Sequence, residues 1–254
     1  MRPTTITLAY NGRQRWRRVT LFIMFVAFPV TMYYLSPVLS LFGATERIVT
    51  GSLVVFGFQF ITSLFFGRAF CGWLCPAGAA HEFTLPIQNR PVPRWIGWIK
   101  FGIWVPWLGF ILYSLIRPGD PLKVDILAYT TGGISIVDLQ GYIVYYMVLT
   151  AFVGLGVAVG RRAGCHTLCW MAPFMIVGRW LRNLGKWPAL RLRANRGACI
   201  SCGKCSAACP MSINVQGLVD RERMEDRDCI LCGNCVDTCP NSVIRYSVSA
   251  GVQA

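Results

Sequence analysis

Charged side chains are scarce in this sequence, and acidic ones are the scarcest. Only 14% of the 254 residues are charged, with 25 Lys and Arg against 11 Asp and Glu. Because 54% of the residues are hydrophobic, the chain is too apolar for a soluble globule and is typical of an integral membrane protein. The net charge of +14 does not call for nucleic acid as a partner, since the basic residues cluster beside apolar segments, as membrane topology favours.

Histidine is almost absent, and this restricts the cofactors that the chain can hold. His81 and His166 are the only two, and neither lies in an apolar run. A transmembrane haem held by two histidines is therefore excluded unless a partner supplies ligands, so we expect no haem. His81 and Glu82 are interpreted as ordinary surface residues. No acid–base pair or nucleophile stands out, and we expect no chemistry beyond redox.

Cysteine, by contrast, is abundant, and all 12 cysteines fall into motifs. The run C-x2-C-x2-C-x3-C-P occurs twice, at 199–210 and 229–240. In this spacing three thiolates on one loop bind one iron–sulfur cube, and the fourth ligates the other cluster. The sequence therefore predicts two [4Fe–4S] clusters, one bound by Cys199, Cys202, Cys205 and Cys239, the other by Cys229, Cys232, Cys235 and Cys209.

Zinc and disulfides are the alternatives for these eight cysteines. C-x2-C pairs also bind zinc, but a zinc site requires neither the duplicated third cysteine spacing nor the proline that follows each run. A disulfide framework is disfavoured because the run lies in a basic segment, which the charge pattern places in the reducing cytoplasm. Gly203 and Gly233 let backbone amides approach the sulfur atoms.

Four apolar runs are long enough to cross a bilayer, for which ~20 residues suffice. They cover 19–42, 48–66, 96–116 and 139–159. A signal peptide is the alternative for the first run, but that run exceeds the apolar region of about 7–15 residues that such peptides have. Pro29 and Pro37 are expected to bend it. Lys100, near one end of the third run, can reach the interface.

Basic residues mark one side of the membrane. The N-terminus, the loop 67–95 and the chain after 160 are rich in base, whereas loops 43–47 and 117–138 are not. The positive-inside rule then predicts a multi-pass protein of the inner (cytoplasmic) membrane, with both termini and the ferredoxin domain in the cytoplasm.

The predicted fold is an all-α membrane domain of four transmembrane helices in two repeated hairpins, followed by a small α+β two-cluster ferredoxin domain. The expected divisions are a basic N-terminus at 1–18, the transmembrane domain at 19–169, an interfacial and basic linker at 170–196, the ferredoxin domain at 197–246 and a tail at 247–254.

A shorter motif repeats where the second and fourth runs end. Arg68-x-x-Cys71-x3-Cys75 matches Arg162-x-x-Cys165-x3-Cys169, which indicates a parallel internal repeat. Cysteines four apart share a face of a helix, so the two motifs together could offer four thiolates: Cys71, Cys75, Cys165 and Cys169. A third iron–sulfur cluster, a dithiol relay and a site that passes copper are all open interpretations. The two arginines would offset thiolate charge in each case.

Taken together, these motifs resemble the NapH/MauN-type membrane ferredoxins and the polyferredoxin part of NosR-like and CcoG-like proteins. The likeness rests on four spans, two C-x3-C motifs at their cytoplasmic ends and the C-terminal two-cluster run, and it covers nearly the whole chain. C-G-W-L-C-P matches the family at Cys71, Cys75 and Pro76. The second motif departs from it, because its next proline comes only at Pro173.

The resemblance implies electron transfer. NapH-like proteins are regarded as passing electrons from quinol, with partner subunits, to periplasmic reductases. We therefore expect a component of a quinol dehydrogenase-type complex that relays electrons between the quinol pool, or a cytoplasmic donor, and a ferredoxin, cytochrome or reductase. CcoG-like relatives imply the alternative of a metal or thiol reductase in metalloenzyme assembly. A redox sensor without turnover is the other alternative. The direction of flow stays open, because cluster potentials span a wide range.

Overall fold

The computed structural model of the chain describes residues 12–119 and 121–251. Most of the basic stretch predicted at 1–18 and the end of the predicted tail lie outside these residues. The helices are α1 Gly12–Val26, α2 Phe28–Thr31, α3 Pro37–Thr45, α4 Gly51–Phe66, α5 Ala69–Trp73, α6 Pro76–Thr84, α7 Ile99–Ile116, α8 Leu139–Ala158, α9 Ala163–Thr167, α10 Met171–Gly185, α11 Lys204–Ala207, α12 Val215–Asp220 and α13 Asn234–Asp237. The strands are β1 Ile48–Thr50, β2 Lys123–Asp125, β3 Pro188–Ala194 and β4 Ile244–Ala250.

The first predicted span is divided into three helices, because its prolines start new helices and do not merely bend one. Pro29 and Pro37 stand in the first turns of α2 and α3, where a residue without an N–H group leaves no helical hydrogen bond unmade. The Ser36 side chain caps α3 by accepting a hydrogen bond from the N–H of Leu39 at 3.3 Å.

Two helical segments of the described chain have the length and hydropathy to cross a membrane. They are Arg94–Ile116, which contains α7, and Leu139–Ala158, which is α8. Helix α4 is apolar but has 16 residues, which makes it about 24 Å long against a hydrocarbon core of ~30 Å. The structure therefore supplies two candidate spans where the sequence predicts four.

The two loops that are poor in base lie together at one end of the helices. β1 pairs in parallel with β2, in the register Ile48 to Lys123 and Thr50 to Asp125. The hydroxyl of Tyr129 donates to Glu46 at 2.6 Å. At the opposite end, the C-x3-C motifs meet the C-terminal unit.

The C-terminal unit begins earlier than the boundary predicted at 197. β3 pairs antiparallel with β4, from Pro188 opposite Ala250 to Ala194 opposite Ile244. The two strands bracket both cysteine loops, so part of the predicted linker and part of the predicted tail belong to this unit. The arginines of β3 favour a basic linker in the sequence, but Arg191 is buried.

Helix α10 differs from the interfacial helix expected within 170–196. It packs on α4, with Met171 and Met175 buried. Its arginines turn inward, and Arg179 and Arg182 both donate to Glu225. These ion pairs join α10 to the C-terminal unit.

Candidate metal centres

The two ferredoxin loops repeat one backbone conformation. Gly203 and Gly233 both have a positive φ, of 72° and 82°, and each precedes a one-turn helix that carries the third cysteine of its copy. Ser201 and Leu231, two positions earlier, also share a left-handed φ of about 50°. Glycine is favoured at the turn because it adopts this conformation without steric cost. The sequence repeat is thus also a structural repeat.

Each predicted ligand set of this unit lines its own cavity. One cavity is lined by Cys199, Cys202, Cys205 and Cys239, and the other by Cys209, Cys229, Cys232 and Cys235. The fourth cysteine of each copy therefore lies with the first three of the other, which is the crossed arrangement that a two-cluster ferredoxin requires. The backbone N–H of Val243 donates to the Sγ atom of Cys239 at 3.4 Å.

A zinc ion and an iron–sulfur cube require different arrangements of their thiol ligands. In the described part of the chain, no three Cys, His, Asp or Glu side chains converge on one metal position. A zinc ion needs its sulfur ligands at about 2.3 Å. In a cube each thiolate binds a different iron, so the sulfur atoms stand farther apart.

The two C-x3-C half-sites also share one local structure. In each, the N–H of the first cysteine donates to the carbonyl of the arginine three residues before it, and the N–H of the second donates to the carbonyl five residues before it. These distances are 3.1 and 3.0 Å in the first half-site and 2.9 and 3.1 Å in the second. The second half-site forms the same turn although no proline follows Cys169 directly.

The structure brings the four C-x3-C cysteines together, since Cys75 interacts electrostatically with Cys71, Cys165 and Cys169. All four are buried. Burial and the neighbouring thiols raise the pKa of Cys75 well above its usual range and that of Cys169 to about 12. Burial likewise raises the pKa of Cys165. Such thiols stay protonated at neutral pH unless a metal replaces the proton.

Two arginines beside these thiols have unpaired donors. Arg68 and Arg162 are fully buried, and Arg68 interacts electrostatically with Cys71, Cys165 and Cys169. The Nε and Nη2 atoms of Arg68 and the Nε atom of Arg162 have no hydrogen-bond partner. Unpaired cationic donors in a buried site are costly, and an anionic thiolate-bound cluster would satisfy them. The donor set therefore fits an iron–sulfur centre.

Glu82 lies between cations with a side chain only 10% exposed, contrary to the surface role predicted for it. It accepts from Arg17 and, at 2.8 Å, from Arg162. These arginines also donate to the carbonyls of Gly72 at 3.3 Å and Cys71 at 3.1 Å. Burial alone would raise the pKa of Glu82, but the two charges lower it to about 2. No local signal marks this residue, because its partners lie 65 and 80 positions away.

Both histidines are buried as well, so His81 does not have the surface role expected for it. Neither ring of His81 and His166 makes a hydrogen bond, and His81 packs edge-on against Phe152. Burial lowers the pKa to about 3 for His81 and about 4 for His166. Both imidazoles are thus neutral at physiological pH.

Cys71, Cys75, Cys165 and Cys169 are called the four-cysteine site below. This site contacts the second ferredoxin loop directly. A Cβ atom on Gly72 would overlap the carbonyl oxygen of Ile230, so only glycine fits at this contact. The indole of Trp73 donates to the carbonyl of Leu231 at 3.1 Å. Both carbonyl groups belong to residues between Cys229 and Cys232, which line the second ferredoxin cavity.

Buried ion pairs and hydrogen bonds stabilise the contact between the helices and the ferredoxin loops. Asp228 accepts from Lys100 at 2.6 Å and from Arg68 at 3.1 Å. Arg161 donates to the carbonyls of Ala207 at 3.1 Å and Cys209 at 3.2 Å. Lys100 was expected to reach the interface, but it is 1% exposed and paired.

On its other side the four-cysteine site borders an apolar cavity of about 540 Å³. Pro76, Cys169 and Trp170 line one part of it, and Asp138 another. The remaining wall is mainly apolar and comes from α2, α3, α6 and α8. The four-cysteine site thus lies between this apolar cavity and the ferredoxin loops.

Two protein families match parts of the chain. The first is described as a 4Fe–4S binding domain and matches residues 48–92, which include Cys71 and Cys75. The second is described as a 4Fe–4S dicluster domain and matches residues 191–240, which include the duplicated cysteine run. The chain therefore carries two iron–sulfur binding domains.

Individual relatives agree with this result. YccM of Escherichia coli K12, named a "putative electron transport protein", is 27% identical over 79% of this chain and 60% of its own length. The uncharacterised protein MJ0749 of Methanocaldococcus jannaschii is 24% identical over 83% of this chain and 80% of its own length. The methylamine utilisation ferredoxin-type protein MauN of Methylobacillus flagellatus is 25% identical over 67% of this chain and 58% of its own length.

The chain thus spans about three fifths of the length of YccM and of this MauN. No solved structure matches it. The chain thus carries two 4Fe–4S binding domains and is similar to relatives named for electron transport and as ferredoxin-type proteins, in agreement with the resemblance of its motifs to the NapH/MauN-type ferredoxins.

Proposed function

We propose that this protein is a membrane-embedded relay that carries single electrons between the quinol pool and a redox partner in the cytoplasm. The position of the four-cysteine site carries the proposal. Cys169 lines the apolar cavity on one side, and Gly72, inside the first C-x3-C turn, contacts the second ferredoxin loop on the other. A redox centre at this point stands between a lipid-soluble donor and the ferredoxin unit.

The surface of the helices supports embedding in a membrane. Large apolar side chains are exposed on α1, α4, α7 and α8, among them Phe22, Phe58, Ile116 and Met147. An apolar surface this extensive is unstable in water but favourable in lipid. We infer that these helices form the two predicted hairpins and that the base-rich end, with the ferredoxin unit, faces the cytoplasm.

Three centres follow from the ligand sets. The first and second ferredoxin clusters use the crossed sets given above, and Cys71, Cys75, Cys165 and Cys169 hold a third. Bound clusters would supply the one-electron chemistry. The chain's own part is to ligate them, to exclude water, to offset thiolate charge with Arg68 and Arg162, and to donate backbone N–H groups to sulfur, as Gly78 does to Cys75 at 3.4 Å.

The cavity suits a quinol. Quinols carry an apolar ring and tail with two hydroxyl groups, and sites for such ligands are mainly apolar with a few polar groups. The cavity lining follows this composition, with Asp138, Ser36 and Gln140 among its polar residues. It lies among the apolar helices, where a lipid-soluble ligand is concentrated.

Filling the cavity tests this assignment. We expect Val148→Trp, which adds an indole to the cavity wall, to slow reduction of the clusters by decylubiquinol at least about tenfold, equivalent to ~1.4 kcal/mol of lost binding. Met147→Trp is the matched control, because Met147 lies on the same helix but is 65% exposed. Dithionite should reduce both variants fully. Equal quinol rates in the two variants would show that the cavity does not serve quinol.

A further inference from the structure

The C-terminal unit turns most of its acidic side chains toward the rest of the chain. Four carboxylates form ion pairs there: Glu225 with Arg179 and Arg182, Asp226 with Arg94, Asp228 with Arg68 and Lys100, and Asp237 with Arg13. The charged side chains that remain on the surface of this unit are mainly basic. Between 188 and 251 the exposed cations are Arg193, Arg196, Lys204, Arg221, Arg223 and Arg245, and the acids outside these pairs are Asp220 and Glu222.

The first ferredoxin site opens within this basic surface. Cys202 is exposed, and the neighbouring Ile200 is 64% exposed. In the second site, Cys209, Cys232 and Cys235 are buried. Electron transfer falls off steeply with distance, so a soluble partner exchanges electrons fastest where the ligands reach the surface.

Cations surround this opening. Lys204 lines the cavity of the first site. Arg196 precedes Cys199 by one turn of 3₁₀ helix, and Arg245 donates to the carbonyl of Ser242, beside the lining residues Asn241 and Val243. An exposed apolar residue inside a charged rim is the usual plan of a transient protein interface.

We propose that this surface, the port face (Ile200, Cys202, Lys204, Arg196 and Arg245), docks a small soluble one-electron carrier with an acidic surface around its flavin or iron–sulfur group. The inference rests on the proposed relay function. One electron passes between the first site and the carrier, so that one is oxidised by one equivalent as the other is reduced. Anionic lipid would use the same charges, but the exposed ligand at the centre of the face favours a redox protein.

The test uses the full-length protein, purified without oxygen in detergent. Its oxidised clusters are mixed in a stopped-flow instrument with reduced flavodoxin, an acidic probe carrier, or with a reduced zwitterionic viologen, which needs no docking. We expect the flavodoxin rate constant to fall as salt rises. We expect Arg196→Glu and Arg245→Glu each to lower this rate constant about 5- to 10-fold at low salt, which is a part of the ~10–10³-fold gain that electrostatic steering by a whole charged surface can supply. The viologen rate should not change.

Arg90→Glu is the matched control, because it makes the same charge change at an exposed residue of the 67–95 loop. Flavodoxin rates that are equal in the control and in both port-face variants would overturn the proposal. So would intact flavodoxin rates combined with lost binding to phosphatidylglycerol vesicles, which would make the face a lipid contact. If the viologen fails to reduce the clusters, the relay function itself is wrong, and this inference falls with it.

Discussion

Cys75→Ser is expected to remove the third centre and to stop quinol from reducing the ferredoxin clusters, while both of those clusters stay in place. Changes to residues that merely support metal ligands cost about 10–100-fold, so the loss of a ligand should slow quinol-driven reduction by at least about 100-fold. The cavities of the eight ferredoxin cysteines are lined without Cys75. EPR of the dithionite-reduced variant should therefore still show two interacting cubes.

The internal repeat offers an equivalent variant in the second half-site. If both half-sites hold one centre, Cys165→Ser should have the same effect as Cys75→Ser, and the double variant should be no worse than either. Met175→Leu is the control, because the Met175 sulfur lies 3.9 Å from the Cys71 sulfur and leucine nearly preserves its volume. Quinol-driven reduction at the wild-type rate in Cys75→Ser would remove the four-cysteine site from the electron path.

Among the variants considered for stability, Glu82→Ala is expected to lower the free energy of unfolding the most. It leaves Arg17 and Arg162, both fully buried, without a counter-charge, and breaking a buried pair in this way costs about 3–5 kcal/mol. For a chain of this size the melting temperature should fall by about 10 °C. Glu46→Ala, at an exposed carboxylate bonded to Tyr129, should change it by no more than about 2 °C.

The contribution of the Glu82 ion pairs to the free energy of unfolding depends on pH, as the lowered pKa of Glu82 implies. A folded-state pKa of about 2, against an ordinary value of 4.5, means that the ion pair contributes fully above pH 4.5 and is lost as the pH falls toward 2. The difference between wild type and Glu82→Ala should therefore be constant from pH 6 to 8 and shrink in acid. A melting temperature for Glu82→Ala equal to that of Glu46→Ala would contradict the buried role.

The cysteine motifs could be predicted because their geometry is local. Thiols three or four positions apart on one loop have little conformational freedom, so the spacing of 199–210 and 229–240 indicates the ligand sets that the cavities bring together. The pairing of the C-x3-C motifs was visible as a repeat. The contact between Gly72 and Ile230 was not visible, because it depends on how two distant segments pack.

The ion pairs were missed for the same reason. Glu82, Asp228 and Arg191 look like surface charges in the sequence, and each becomes buried only through partners far along the chain. Arg191 also concealed β3, since a buried, paired arginine in a strand resembles a solvated tether until Glu225 is placed beside it. The prolines of the first predicted span indicate bends, but capping by Ser36 lets a new helix start at Pro37.

The most direct test of the relay is a count of iron and acid-labile sulfide in protein purified without oxygen, together with EPR of the reduced state. Two ferredoxin cubes account for ~8 irons per chain, and the relay predicts about two to four more, with an additional signal that Cys75→Ser removes. A count of ~8 irons, with Cys71, Cys75, Cys165 and Cys169 recovered as free thiols, would contradict the relay and assign those residues to thiol or copper chemistry.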